Sequence, residues 1–193
     1  VRPVVYRAGI VKNEENIHGV LFKGVHREDT VSLGVSIPRR LAEIGNLKPG
    51  DRMLTYFVGG KVKMRQFHVT SVYDAMLETD DRLVVYASLD DMQRLNGWNE
   101  TLVSGVEILL DPALRNKADL QDISYQIGSV AYENSREEDE TVYASSVLSR
   151  YPQLFDWLDL IDFNVLFILM LMTIVAGFNM ISGLLITLFE NIS

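Results

Sequence analysis

Residues 163–189 read FNVLFILMLMTIVAGFNMISGLLITLF, a stretch of 27 residues without an Asp, Glu, Lys or Arg. About 20 apolar residues suffice for a helix to cross the hydrocarbon core of a bilayer. The alternative is a buried helix of a soluble core, but such helices are usually shorter and carry a polar stripe. A signal peptide is excluded because the stretch lies near the end of the chain. The segment therefore predicts a transmembrane helix over 163–189.

Small and polar residues interrupt this segment on one side of the helix. Asn179, Gly183 and Thr187 are spaced i, i+4, i+8 and share a face, with Thr173 and Gly177 on neighbouring parts of the surface. Such residues let a second helix approach closely. We therefore predict that these five residues are helix-packing candidates, and that Asn179 faces protein or a water-filled cavity. The alternative is that Asn179 caps a kink or bonds its own backbone.

The sequence becomes helical before the apolar segment begins. An apolar stripe of Leu154, Trp157, Leu158 and Ile161 leads into it without a turn signal. We predict a stalk helix over 145–162 that continues into the transmembrane helix. No Lys or Arg follows the segment, so charge does not predict the membrane orientation.

Residues 1–144 predict one β-rich α+β domain. Runs of β-branched and apolar residues predict strands at 4–6, 10–12, 17–25, 31–37, 52–58, 61–72, 82–87 and 102–110, the first two forming an edge. Helices are predicted at 38–44, 88–95 and 116–127. Within these elements, we expect Gly45 to end the first helix, a Ser88–Asp91 capping box to open the second and Gly97 to close it. In 61–72, Val62, Phe67, Val69 and Val72 share a core face only if a β-bulge shifts the register.

The composition excludes several classes of function. A net charge of −8 argues against nucleic-acid binding, and the absence of cysteine rules out disulfides, thiolate catalysis and cysteine metal sites. The three histidines have no metal-ligand spacing, and no phosphate-binding loop or nucleophile elbow is present. Asp80-Asp81 and Asp90-Asp91 lack the spacing of a calcium loop, and we interpret them as turn and cap residues. We therefore predict no catalytic, cofactor-binding or metal residues, and a role in binding or transmission. A membrane-anchored enzyme is the least favoured alternative.

Three stretches, in this order, resemble the FtsX/MacB-type ABC transporter permeases, and most closely the lipoprotein-releasing Lol permeases. The first is GVSIPRRLAEIGNLKPGDRML at 34–54. The second is FHVTSVY at 67–73, followed by Asp81 and LVVYASL at 83–89. The third is LFDWL at 154–158, Asn164 and VAGFNMIS at 175–182. The resemblance is weakest before residue 20 and between 112 and 145.

This resemblance implies a fragment of a longer protein, an expectation that the opening without Met also suggests. It implies a MacB-like periplasmic core domain (1–144), a stalk (145–162), the second of four transmembrane helices (163–189) and the start of a cytoplasmic coupling region (190–193). The implied location is the bacterial inner membrane. The implied partners are an ATP-binding subunit that holds the ATP, a second permease subunit in a homo- or heterodimer, membrane lipid, and a lipoprotein or other envelope cargo. The alternative within the family is an FtsX-like regulatory scaffold that activates cell-envelope enzymes.

Overall fold

The computed structural model describes residues 1–12, 17–27, 31–59, 62–75, 83–111, 117–135 and 142–192. The strands are β1 (Arg2–Lys12), β2 (Ile17–Val25), β3 (Gly34–Pro38), β4 (Arg52–Phe57), β5 (Lys63–Tyr73), β6 (Leu83–Ser88) and β7 (Gly105–Glu107). The helices are α1 (Arg39–Gly45), α2 (Leu89–Asn96), α3 (Lys117–Glu133), α4 (Val147–Arg150) and α5 (Pro152–Ile192). Contacts divide the chain into a sheet unit, Val1–Leu110, and a helical unit, Asp111–Ser193. The prediction of a β-rich α+β domain followed by a long helix that enters an apolar segment is confirmed. The predicted residue bounds of domain, stalk and transmembrane helix stay predictions.

Six strands of the sheet unit close into a ring. The strand order β2-β6-β3-β5-β4-β1-β7 returns on itself because β1 also pairs with β2, from Val5 opposite Gly24 to Lys12 opposite Ile17. The β2–β6 and β3–β5 pairs are parallel, and the other pairs are antiparallel. Residues 4–6 and 10–12, predicted as an edge segment or strand, do form a strand, but that strand does not lie at an edge. β1 is one continuous strand with β2, β4 and β7 as partners, because its alternating residues bury one face inside the ring.

Aromatic side chains fill the inside of the ring. Phe22 lies 5.1 Å from Phe57 and 4.9 Å from Phe67 between ring centroids, and all three are fully buried. Met92 of α2 and Leu41 of α1 join the same core. Residues at alternate positions of each strand therefore build one apolar interior, as the period of two in a strand requires.

The turns and helix ends agree in part with those predicted from the sequence. α1 ends at Gly45 as predicted, but the residue that takes the left-handed cap conformation is Asn46, with φ of 49°. Gly97 ends α2 as predicted, with φ of 75°. The bulge in β5 is confirmed: Val35 pairs with Val69 but Ser36 pairs with Ser71, and the extra residue lets Val72 pack against the same core as Phe67 and Val69. Val62, however, is exposed.

The prediction of a capping box at the start of α2 is wrong. Ser88 is the N-cap residue, but its side chain makes no cap hydrogen bond. The Asp91 carboxylate instead accepts a hydrogen bond of 2.9 Å from the backbone N–H of Leu33. Leu33 has a φ of 57°, an uncommon conformation for a residue with a side chain. Asp91 therefore fixes the turn before β3, a long-range role that local spacing does not reveal.

Thr55 offers a test of the core. Its side chain is fully buried in β4, and its hydroxyl has no hydrogen-bond partner among the described residues. Because an unsatisfied buried hydroxyl is costly, we expect Thr55→Val to raise the free energy of unfolding by about 1 kcal/mol. Urea denaturation measures the change. Thr70→Val is the matched control: the Thr70 hydroxyl donates to the Val35 carbonyl at 3.0 Å, so that variant should lose stability. A destabilised Thr55→Val would contradict this account.

Within its described residues the helical unit contains three helices, of which α5 is the longest. α3 is longer than predicted and has no buried residues. α4 begins at a capping box between Ser146 and Ser149, and the helix is interrupted at Tyr151 before α5 starts at Pro152. α5 has 41 residues, which gives a length of about 60 Å. It is long and apolar enough to cross a membrane, and none of its most apolar window is buried within the described chain.

Candidate functional site

All five helix-packing candidates lie on α5. At 100° per residue, Asn179, Gly183, Thr187, Thr173 and Gly177 fall in that order within an arc of about 160° of the helix surface. Four of them are exposed and Gly177 is half-buried. A Cβ atom added at Gly177 or Gly183 would meet nothing within 4 Å among the described residues. The structure therefore gathers the five residues on one side of the helix, and their packing role stays a prediction.

The two threonines already satisfy their hydroxyls within the helix. Thr173 donates to the Leu169 carbonyl at 2.8 Å, and Thr187 donates to the Gly183 carbonyl at 3.0 Å. Such bonds to the preceding turn are common for Ser and Thr in helices. The hydroxyls therefore do not require a second helix.

Asn179 differs from the threonines. Its side-chain amide is exposed and has no hydrogen-bond partner in the described part of the chain, so the alternative that it bonds its own backbone is not seen. It lies near the middle of an uncharged segment, where an unpaired amide facing lipid would be expensive. Of the five candidates, Asn179 is the one whose chemistry calls for an outside partner.

The first part of α5 is polar and lies beside α3. Asp156, Asp159 and Asp162 occupy successive turns. The Lys117 ammonium of α3 lies 2.5 Å from Asp159, which links the start of α3 to α5. Exposed ion pairs of this kind contribute less than about 1 kcal/mol. Trp157 is 58 % exposed, about one to two turns outside the apolar segment, a level at which aromatic side chains concentrate at membrane surfaces.

A charged and aromatic cluster on the outside of the ring was missed by sequence reasoning. The Lys23 ammonium of β2 lies 2.5 Å from the Glu107 carboxylate of β7, and over the rings of Tyr6 and Tyr86 at 6.0 and 5.7 Å. The Tyr6 hydroxyl donates to the same carboxylate at 3.0 Å. Burial alone would lower the pKa of Lys23, but the hydrogen bond to Glu107 and the nearby tyrosines raise it above its usual value. The ammonium is thus held charged. No local pattern pairs residues so far apart in the chain.

The stretch 34–54, which carries the first part of the resemblance, forms β3, α1, a turn and the start of β4. Arg39 at the start of α1 pairs with Asp74 just after β5. The hydrogen bond from Arg39 holds the pKa of the Asp74 carboxyl below its usual value. Beside this pair an open groove of about 640 Å³ is bordered by Glu43, Lys48 and Ser71. Charges of both signs border the groove, which indicates no particular ligand.

The structure brings no catalytic or metal-binding group together in the residues it describes. No set of three or more His, Asp or Glu side chains is placed to hold a metal ion there. His18 has a buried Nε2 atom without a hydrogen-bond partner in the described chain and belongs to no such set. Asp90 and Asp91 lie in the first turn of α2. Asp80 and Asp81 lie outside the described residues. The prediction that the chain has no catalytic residues stays a prediction.

Comparison with known proteins finds a likeness among solved structures. No protein-family model matches the chain, and no curated protein matches it. Among solved structures, it is similar to the extracellular domain of the noncanonical ABC-type transporter YknZ from Gram-positive bacteria. The similarity covers 74% of this chain and 78% of that domain, at 13% sequence identity and a TM-score of 0.43.

Proposed function

We propose that the chain is part of a permease subunit of an ABC transporter that releases or exports lipoproteins or other cargo across the cell envelope. In this proposal the sheet unit lies in the periplasm and α5 crosses the bacterial inner membrane. The proposal rests on the ordered resemblance of stretches 34–54, 67–89 and 154–182 to FtsX/MacB-type permeases, closest to the Lol permeases.

The observation that carries the proposal is the continuity of α5. One helix runs without a break from a segment with three aspartates into 27 uncharged residues, and its apolar side chains are exposed along its length. Exposed apolar surface of this extent is stable in lipid and not in water. A continuous helix has no internal joint, so a displacement of its membrane part also moves the part outside.

The proposed mechanism uses this continuity. A separate ATP-binding subunit binds and hydrolyses ATP and moves the membrane helices of two permease subunits. α5 passes the motion to the segment outside the membrane, where cargo is handled. This chain binds no cofactor in the proposal, and residues 190–193 begin the region that contacts the ATP-binding subunit.

Co-purification of the full-length protein tests the proposal. We expect an ATP-binding subunit and a lipoprotein to be recovered with it from bacterial membranes in mild detergent. Recovery of a cell-wall hydrolase without lipoprotein would favour the regulatory scaffold. Failure to recover any ATP-binding subunit, or turnover by the purified protein alone, would contradict the permease assignment.

Gly183→Leu tests the packing face. Gly183 leaves open space on α5, so a leucine there is tolerated by the chain itself but separates a closely packed neighbour. We expect weaker assembly of the membrane helices and reduced cargo release in membrane vesicles, with an unchanged sheet unit. Leu185→Phe, which adds bulk on the opposite side of α5, is the matched control. Normal assembly and release by Gly183→Leu would show that this face is not a packing surface.

A further inference from the structure

We propose that α5 lies against α5 of a second copy of this chain, in parallel, with the two Asn179 amides hydrogen-bonded to each other. This inference rests on the proposed placement of α5 in the membrane. It adds the identity of the partner and the register of the contact.

A seam of side chains with alternating spacings of four and three residues runs along α5. Leu158, Val165, Met172, Asn179 and Ile186 recur every seven residues, and each has a second seam residue four positions before it, from Leu154 to Ser182. This is the spacing at which two helices supercoil with side chains interlocked. The exposed fractions of Leu158, Val165 and Ile186 are 42, 51 and 61 %, so the seam is open in the single chain.

The charged residues of α5 avoid the seam. Asp156, Asp159, Asp162 and Glu190, the four charged residues of the helix, all lie at other positions of the seven-residue repeat. An apolar segment easily meets the seam spacing. The stronger evidence is therefore the segment before residue 163, where three aspartates are present and none lies on the seam. There Lys117 pairs with Asp159, which places α3 on a different side of α5 from Leu158. The seam is therefore free of charge, and Leu158 on it is exposed, whereas Leu154 and Ile161 are half-buried within the chain.

Asn179 identifies the second copy as the partner. A carboxamide is both a donor and an acceptor, so two of them satisfy each other across a symmetric contact. Two copies inserted in the same orientation have parallel helices, which brings equal positions together. A single Asn at such a position is known to fix the register and number of helices in a coiled coil. The threonine hydroxyls at 173 and 187 are already bonded to their own helix and do not compete for this role.

The small-residue side of α5 remains available to another helix. The centre of that side is turned by about 110° from the seam, with Asn179 at the boundary between the two. Gly177 and Thr187 then lie outside the contact between copies. Contact through the seam and contact through the small-residue side therefore predict cross-links at different positions.

Cysteine cross-linking in native membranes tests the proposal: residues 1–193 contain no cysteine, and any cysteine elsewhere in the full-length protein is first replaced by serine. Two differently tagged full-length copies carry the same single substitution and are oxidised in the membrane. We expect disulfide dimers for Val175→Cys, Ser182→Cys and Ile186→Cys, and few for Thr173→Cys, Gly177→Cys and Leu184→Cys. Cross-links concentrated at 173 and 177 instead, or absent at all six positions, would overturn the proposal.

Asn179→Leu measures the contribution of the amide pair. In the Ile186→Cys background we expect about 3- to 30-fold weaker self-association, the range for one interhelical hydrogen bond in a membrane. Thr187→Val is the control and should leave it unchanged. Unchanged association of Asn179→Leu would exclude the amide pair. If cross-linking fails, the proposed function is still supported by two results: the chain resists alkaline carbonate extraction, and an ATP-binding subunit is recovered with it. Extraction by carbonate would end both proposals.

Discussion

Replacing Phe22 with alanine is expected to lower the free energy of unfolding of the sheet unit by about 3–5 kcal/mol, the usual cost of truncating a buried phenylalanine. Phe22 is fully buried in β2, and its ring lies between those of Phe57 and Phe67. The strands around it close into a ring, so they are poorly placed to collapse into the cavity. The loss is of the same order as the whole stability of many domains, so much of the variant should be unfolded at 37 °C.

Fluorescence of Trp98, which packs against the core, reports this unfolding. A Trp157→Phe background removes the second tryptophan, which lies on α5. Ile17→Ala is the matched control because Ile17 is on the same strand but 68 % exposed, and it should change stability by less than about 0.5 kcal/mol. If Phe22→Ala unfolded at the same urea concentration as the control, the ring interior would not be the core of this unit.

Replacing Gly24 with valine is expected to cost about 2–3 kcal/mol, for the opposite reason. A Cβ atom at Gly24 would lie 2.8 and 2.9 Å from Met92 side-chain atoms and 3.3 Å from the Leu89 Cα atom. The side chain of Met92 is fully buried and so has little room to move, and Leu89 offers only backbone. α2 must therefore move away from the sheet, which loosens the contact that holds it there.

Gly19 provides the control for this overpacking. It lies on β2 like Gly24, but an added Cβ would meet nothing within 4 Å among the described residues. Gly19→Val should therefore be neutral or slightly stabilising, since valine favours strands. Hydrogen exchange should show faster exchange in α2 for Gly24→Val alone. Equal stability of the two variants would mean that α2 does not pack closely on β2.

The local elements of the fold could be predicted from the sequence because their signals are local. α5 follows from an uncharged apolar run, the end of α2 from Gly97, and the bulge in β5 from the odd spacing of the apolar residues Val69 and Val72. Each depends on neighbours within a few residues. The sequence also predicted a strand over 102–110, of which only Gly105–Glu107 pairs with β1.

The closure of the ring could not be predicted in the same way. It depends on β1 pairing with both β2 and β4, and on parallel pairs between strands far apart in the chain. Strand patterns show which face of a strand is buried but not which strand lies beside it. The roles of Asp91 and Lys23 were hidden for the same reason, since their partners Leu33 and Glu107 are remote in sequence.

The sequence predicted which residues form the candidate site but not which of them needs a hydrogen-bond partner from outside the helix. The spacing of residues 173–187 correctly placed five small and polar side chains on one side of a helix. It did not separate Thr173 and Thr187, which bond their own backbone, from Asn179, which does not. That distinction depends on side-chain rotamers, which spacing does not specify.

The closed ring also limits how another protein can recognise the sheet unit. An incoming peptide can extend a sheet only where a strand has unpaired backbone groups along one side. Within the described residues each of the six ring strands has a partner on both sides, and the exposed side belongs to β7, which is three residues long. A strand added beside β7 could therefore form only a few backbone hydrogen bonds. A partner protein should therefore bind this unit through its side chains and not by adding a strand to its backbone.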